Sequence, residues 1–328
     1  MSELSPIADL SYRNYDGPLE PPLMRWWPIA RVGVLKALKN KWYWVLTILS
    51  GSWYLVLMVM FYFVDSFLPQ ISGDAAAMID PERAKASFFS GVNWNEQFLH
   101  GFSMAQLFLL ILALMLGVGT IANDNRANAL LVYLSKPCTK LDYVFGKWLG
   151  IVIPLIISVA IPTLFFYGYC FMSYREYGFL DHHPYLIFQL MLLITIPAIV
   201  HASLAIGISS MFSQGRIAGA TYAAIYFFSL FFTKAMQVLH VQMGPGDSAS
   251  KLVNSLFYFS IDGIQIGLAK ALLGTDGGRL IPVGPPGGMG RMAVPAPNGV
   301  LISIVAGIGC MAFLLFAWSR IRAVEVVG

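Results

Sequence analysis

Long apolar stretches recur along this sequence, and they constrain its fold more than any other feature. The last of them, VLISIVAGIGCMAFLLFAWSR at residues 300–320, carries one charged residue, Arg320, at its end. The hydrocarbon core of a bilayer is about 30 Å thick and is crossed by roughly 20 apolar residues of helix. We predict six such spans, at about 44–64, 102–121, 148–172, 185–210, 217–239 and 300–320.

The composition agrees with a membrane protein and the pattern agrees with helices. Only 12% of the residues are charged and 57% are hydrophobic, whereas a soluble domain carries about a quarter charged residues. Continuous apolar runs lack the alternation of a membrane β-barrel. We therefore predict an all-α polytopic membrane protein with six transmembrane helices, of which two contain the prolines Pro154, Pro162 and Pro197 and are expected to kink.

The distribution of lysine and arginine predicts the orientation of the chain. With a cytoplasmic N terminus, the segments 1–43, 122–147, 211–216 and 321–328 lie inside, and the loops between the other ends lie outside. The inner segments hold twelve basic residues, Arg13, Arg25, Arg31, Lys36, Lys39, Lys41, Arg126, Lys136, Lys140, Lys147, Arg216 and Arg322. The outer segments hold seven, Arg83, Lys85, Arg175, Lys251, Lys270, Arg279 and Arg291. Both termini are therefore expected in the cytoplasm.

The domain organisation follows from the same division. Residues 1–43 form a cytoplasmic N-terminal segment, residues 44–320 form the six-span transmembrane domain, and residues 321–328 form a cytoplasmic tail. Within the N-terminal segment, RWWPIARVGVLKALKNKWY repeats apolar residues at helical spacing with basic residues between them. This pattern predicts an amphipathic helix lying on the inner leaflet. A generic positive anchor before a span is the alternative.

Two outer loops, 65–101 and 240–299, are large. The second contains SASKLVNSLFYFSIDGIQIGLAKALLG at 248–274, an apolar segment interrupted by Asp262 and Gly263. It is too polar for a seventh span and too apolar for a free loop. We predict two short helices at the outer face before the last span, followed by an irregular Gly/Pro-rich connector over 274–299.

The inner loop 122–147 has the clearest local signals. One short helix is expected from Asp124 to Leu134, with Asn123 or Asp124 as its N-cap. Pro137 ends it, and the TKLD sequence at Thr139 to Asp142 has the spacing of a capping box that begins the next helix. A helix along the membrane surface can receive force from a cytoplasmic partner. An ordinary inner loop resting on the interface is the other interpretation.

This loop resembles the central signature of ABC-2-type transporter permeases. The matching residues are Ile121, Asp124, Leu130, Leu134, Ser135, Pro137, Lys140, Gly146 and Lys147. Asp124 replaces the usual Glu, and Asn128-Ala129 replaces the usual Gly-Thr turn. Because Asn tolerates left-handed backbone geometry better than most residues, we expect Asn128 to keep the turn.

The resemblance implies a permease subunit of an ATP-driven exporter in the bacterial inner membrane. Such a permease pairs with a second copy or a paralogue and is driven by two ABC ATPase subunits. The chain has no GxxxxGK[ST] phosphate loop, so we expect it not to be an enzyme and to bind no cofactor directly, with ATP and Mg on the partner ATPase. The ATPase-coupling residues would be Asp124, Arg126, Asn128, Leu130, Leu131, Leu134, Pro137 and Lys140. A membrane transmitter that passes ATPase-driven motion to outer loops or partners without transport is the alternative.

Polar residues inside the spans are candidates for the substrate pathway. Gln189 and His201 both lie in the fourth predicted span. They either line the route or each form a hydrogen bond to a neighbouring helix. The net charge of +4 is too small to argue for nucleic acid, and membrane lipid is an expected partner. No metal site is predicted, since the DHHP sequence at Asp181 to Pro184 is better explained as a short polar turn.

Overall fold

The computed structural model describes residues 24–75, 81–129, 139–180, 184–243, 248–278 and 293–321. Within these ranges all regular secondary structure is helical, which confirms the predicted all-α class. The α-helices are α1 (Trp26–Leu38), α2 (Lys41–Ser50), α3 (Ser52–Ala75), α4 (Pro81–Ser90), α5 (Trp94–Gly117), α6 (Gly119–Arg126), α7 (Lys140–Tyr174), α8 (Leu186–Ser209), α9 (Gly215–Gln242), α10 (Ser248–Phe257), α11 (Ile261–Leu273) and α12 (Gly299–Arg320). A 3₁₀-helix, Arg175–Tyr177, extends α7.

Among the described residues, five helices are long and apolar enough to cross a membrane: α5 with α6, α7, α8, α9 and α12. Two further candidates are pairs of helices bent at a short break, α2–α3 by 51° and α10–α11 by 99°. The chain is thus a membrane protein with five to seven candidate spans. The count of six and the orientation of the termini stay predictions.

Helix α8 is the centre of the bundle. Of its most apolar stretch, 72% is buried, against 17% for α9 and 11% for α12. It packs against α5, α7, α9, α11 and α12. Of the five long spans among the described residues, α9 and α12 are the least buried, and their exposed apolar side chains are open to lipid or to another subunit.

The break in the first predicted span occurs at Gly51, where a side chain would collide with Pro162 of α7. Pro162 has no N–H to donate to the carbonyl of Ser158 four residues earlier. The Ser50 hydroxyl donates to Thr47 O at 2.7 Å and also lies 3.4 Å from Ser158 O. A neighbouring hydroxyl thus approaches the carbonyl released by Pro162, and α7 is helical through both Pro154 and Pro162.

Helix α1 lies along the first half of α7 and presents two different faces. Its small residues Ala30 and Ala37 are buried against the protein. Two residues of the predicted apolar side, Val32 and Leu35, are 68% and 42% exposed, whereas Ile29 and Leu38 of the same side pack against the core. Of this side, only Val32 and Leu35 are thus left available to a membrane surface.

The segment before the last span forms two short helices, α10 and α11, as predicted. Ser260 caps α11 by accepting a hydrogen bond from Gly263 N at 2.9 Å. At the other end of α11, the carbonyl of Leu273 accepts a 2.6 Å bond from the Asn95 side chain of α5. Helix ends leave carbonyls without intrahelical donors, so this amide supplies the bond that would otherwise come from water.

Candidate functional site

The candidate site is the inner connection between α5 and α7, built around α6. The helical path of α5 is interrupted at Val118, and α6 starts at Gly119. The hydroxyl of Ser209, the last residue of α8, accepts hydrogen bonds from Ile121 N at 3.1 Å and Ala122 N at 3.0 Å. The same hydroxyl donates to Val118 O at 2.6 Å. A residue of α8 therefore satisfies the backbone groups at the α5–α6 break and fixes the direction of α6.

Asp124 of α6 is held by two residues of α7. Its Oδ2 atom lies 2.8 Å from Lys147 Nζ, and it accepts a 2.7 Å hydrogen bond from the Tyr143 hydroxyl. Tyr143 and Lys147 are one helical turn apart, and the ammonium group lies 5.5 Å from the centroid of the Tyr143 ring. The side chains of Lys147 and Asp124 are only 15% and 19% exposed, so water screens this pair less than a surface pair.

The start of α7 is fixed by the predicted capping box, which the structure confirms. Asp142 N donates to Thr139 Oγ1 at 3.1 Å, and Thr139 N donates to Asp142 Oδ2 at 3.0 Å. Each side chain satisfies a backbone donor of the other residue, so the helix has a defined first turn. Lys140 is the first residue of this helix and is partly exposed.

The helix that carries Asp124 differs from the prediction. The sequence predicted one helix from Asp124 to Leu134, whereas α6 begins at Gly119 and ends at Arg126. Asn128 follows with φ of +51°, the left-handed conformation expected of it at this turn. The reason for the difference is Ser209, which supports the first turn of α6 from another helix, so that neither Asn123 nor Asp124 acts as its cap.

The remaining coupling residues fall into two groups. Arg126 and Asn128 are exposed on the same short stretch. Leu130, Leu131, Leu134 and Pro137 lie outside the described residues. The structure therefore brings the flanks of the loop together through Asp124, Tyr143 and Lys147. Of these three, the sequence prediction assigned a coupling role only to Asp124. Tyr143 gave no signal, and Lys147 stood out only as part of the signature.

The two pathway candidates are not brought together. Gln189 Nε2 donates a 2.9 Å hydrogen bond to Leu272 O of α11. His201 is fully buried, and its Nδ1 atom lies 2.6 Å from the Tyr222 hydroxyl of α9. Each side chain thus bonds a different neighbouring helix, which is the second of the two interpretations considered for them. Among the described residues, no three His, Cys, Asp or Glu side chains are grouped as a metal site would require.

Comparison with known families places these observations in one class of proteins. A family model described as ABC-2 family transporter protein matches residues 27–315, which is most of the chain and includes α6 and its contacts with α7. A comparison with curated proteins found no match. ABC-2 permeases work with an ATPase partner in general. The chain belongs to the ABC-2 transporter family and is an integral membrane permease.

Proposed function

We propose that this chain is the permease subunit of an ATP-driven exporter and that the segment 122–147 couples it to a separate ATPase. The observation that carries the proposal is the Asp124–Lys147 pair, at 2.8 Å, with the Tyr143 hydroxyl on the same carboxylate oxygen. This cluster joins the two helices that flank the coupling segment. A force applied to the segment is then applied to α6 and α7 together.

The surroundings of the cluster support transmission into the bundle. Helix α6 is bonded to the end of α8 through Ser209, and α8 is the most buried long helix among those described. Helix α7 packs along both α1 and α8. Because packed interiors are dense and shift between discrete arrangements, displacement of α6 is expected to move α7 and α8 as one unit.

The exposed members of the coupling set are the expected contacts with the ATPase. Arg126 lies in the last turn of α6, and Asn128 turns the chain immediately after it. Both side chains are exposed in the isolated permease. Together with Leu130, Leu131, Leu134, Pro137 and Lys140 they form the proposed docking segment, and Asp124 acts behind it as the anchor.

The assembly that follows has two permeases and two ATPases in the bacterial inner membrane, with both permease termini in the cytoplasm. The second permease is another copy of this chain or a paralogue, and the open apolar faces of α9 and α12 are available to it and to lipid. ATP and Mg bind to the ATPase subunits. The permease itself carries out no chemical step and supplies the path through the membrane.

A charge reversal tests the coupling. Asp124→Lys places two ammonium groups together and removes the acceptor for Tyr143, so ATP hydrolysis by the reconstituted complex should no longer respond to the permease. The double variant Asp124→Lys, Lys147→Asp restores the opposite charges and should recover a large part of the response. The measurement is ATPase activity in proteoliposomes with and without permease, beside the yield of the purified complex.

The matched control is Glu176→Lys, which makes the same charge change on an exposed residue of the 3₁₀-helix at the other end of α7. It should leave the ATPase response unchanged. Normal coupling in the Asp124→Lys variant would contradict the proposal. ATP-dependent movement of substrate in the same vesicles distinguishes an exporter from a transmitter that only passes on motion.

A further inference from the structure

A groove of about 480 Å³ lies between α1, the α5–α6 junction and the first half of α7. Its lining combines two kinds of side chain. Val32, Met115 and Ile151 are apolar, whereas Lys36, Asn40 and the Asp124–Lys147 pair are polar. A groove lined by both kinds is suited to an amphiphile rather than to a purely polar or purely apolar ligand.

The charge of the groove is positive. Lys147 is neutralised by Asp124, which leaves the ammonium group of Lys36 as the uncompensated charge in the lining. Within the described part of the chain, Lys36 forms no ion pair. Residues 24–64 contain five basic residues, Arg25, Arg31, Lys36, Lys39 and Lys41, and no acidic one. The ligand that complements this lining is therefore an anion at the Lys36 end.

The apolar side chains of the lining are open and include part of a candidate membrane span. Met115 lies in the last turn of α5, a candidate span, and Val32 of α1, which lines the same groove, is 68% exposed. Trp27 of α1 and Trp44 of α2 are exposed, as is common at the boundary between hydrocarbon and water. An acyl chain in the adjacent leaflet can reach this wall without leaving the bilayer.

We infer that the groove binds an anionic phospholipid, with its phosphate at Lys36 and an acyl chain along Val32 and Met115. The apolar wall favours a lipid over a free phosphate, because a soluble anion would gain nothing from it. Basic clusters on amphipathic helices bind anionic lipids of the cytoplasmic leaflet. The inference depends on the proposed function only for the orientation of the chain, which decides the leaflet. Since Asp124 and Lys147 also line the groove, a bound lipid lies against the anchor of the coupling segment.

Lipid binding to the isolated permease tests the inference without any ATPase. The purified chain in detergent is titrated with phosphatidylglycerol, phosphatidylcholine or inorganic phosphate, and bound lipid is counted by native mass spectrometry. We expect phosphatidylglycerol to be retained in preference to phosphatidylcholine, and inorganic phosphate not to displace it. Lys36→Gln should weaken the binding of phosphatidylglycerol about fivefold, which corresponds to about 1 kcal/mol per basic residue at a membrane surface.

Two variants control for general effects. Lys39→Gln removes the same charge from an exposed residue three positions away that does not line the groove, and should leave the affinity unchanged. Val32→Asn alters the apolar wall alone and should also weaken retention of the lipid. Folding of every variant is checked by gel filtration and thermal unfolding.

Three results would overturn the inference. Equal losses of phosphatidylglycerol affinity in the Lys36→Gln and Lys39→Gln variants would indicate a general electrostatic attraction of the lipid to the basic surface rather than a specific site. Displacement of the lipid by inorganic phosphate would indicate a site for any anion. Unchanged lipid binding in Lys36→Gln, with loss of ATPase association, would assign the groove to a protein partner. Normal ATPase coupling in the Asp124→Lys variant, together with the expected lipid binding, would count against the proposed function and leave this inference standing.

Discussion

Gly33 of α1 and Gly150 of α7 bring the backbones of their two helices into contact. A Cβ atom on Gly33 would stand 3.0 Å from the Cα atom of Gly150 and 3.1 Å from its carbonyl oxygen. Both neighbouring atoms belong to the backbone, so they cannot move aside without moving a helix. This approach sets the position of α1 beside the coupling segment, since the same region of α7 carries Tyr143 and Lys147.

Gly33→Ala should therefore destabilise the permease by about 1 kcal/mol or more, as overpacking of a close contact does. The matched control is Gly168→Ala in α7, where a new Cβ would meet nothing within 4 Å. Because alanine favours a helix over glycine, that control should be neutral or up to about 1 kcal/mol more stable. The measurement is thermal unfolding in detergent, and equal stability of the two variants would contradict the close contact.

Ser209→Ala should loosen the start of α6. The change leaves Ile121 N and Ala122 N without their acceptor in a buried position, which costs about 1–3 kcal/mol. Hydrogen exchange should accelerate at the amides of Ile121 and Ala122 while the middle of α8 stays protected. Ser319→Ala is the control, because its exposed hydroxyl only bonds Phe316 O within α12. Unchanged exchange at Ile121 in the Ser209→Ala variant would show that the hydroxyl does not hold α6.

Gln189→Leu and His201→Leu should act independently. Gln189 bonds the carbonyl of Leu272 in α11 and His201 bonds the hydroxyl of Tyr222 in α9, so they share no partner. The losses of unfolding free energy in the two single variants should add in the double variant to within about 0.5 kcal/mol. Thermal unfolding of the wild type, the two single variants and the double variant completes the double-mutant cycle. A coupling well above that value would show that the two side chains belong to one site, as the pathway hypothesis requires.

The orientation of the chain is tested by labelling with an impermeant thiol reagent. In a background where Cys138, Cys170 and Cys310 are replaced, Ala127→Cys should react only in inverted vesicles and Lys251→Cys should react in intact cells. Both positions are exposed, in the turn after α6 and on α10. Reaction of Ala127→Cys from outside intact cells would reverse the predicted orientation and remove the coupling segment from the cytoplasm.

The sequence by itself determined the features that depend on neighbouring residues. The all-helical class follows from the apolar runs, because bilayer thickness and backbone hydrogen bonding act on each run separately. The capping box at Thr139 and Asp142 is equally local, since both side chains bond backbone groups within one turn. The left-handed turn at Asn128 reflects the tolerance of one residue type. Two short helices were predicted for 248–274, although the break falls at 258–260, and Asp262 and Gly263 lie in the first turn of α11.

Tertiary structure alone decided how the helices hold one another. The first turn of α6 is supported by Ser209, 88 residues from Ile121, so no local signal could place its start. Asp124 meets Lys147 and Tyr143 only because the fold brings the end of α6 next to the first turns of α7. The apolar pattern of α1 predicted a helix with one apolar side, whereas the most buried residues of α1 are Ala30 and Ala37, which add little to that pattern, and only Ile29 and Leu38 of the predicted side pack against the core. Close packing in a membrane depends on how near two backbones can approach, and hydrophobicity does not encode that distance.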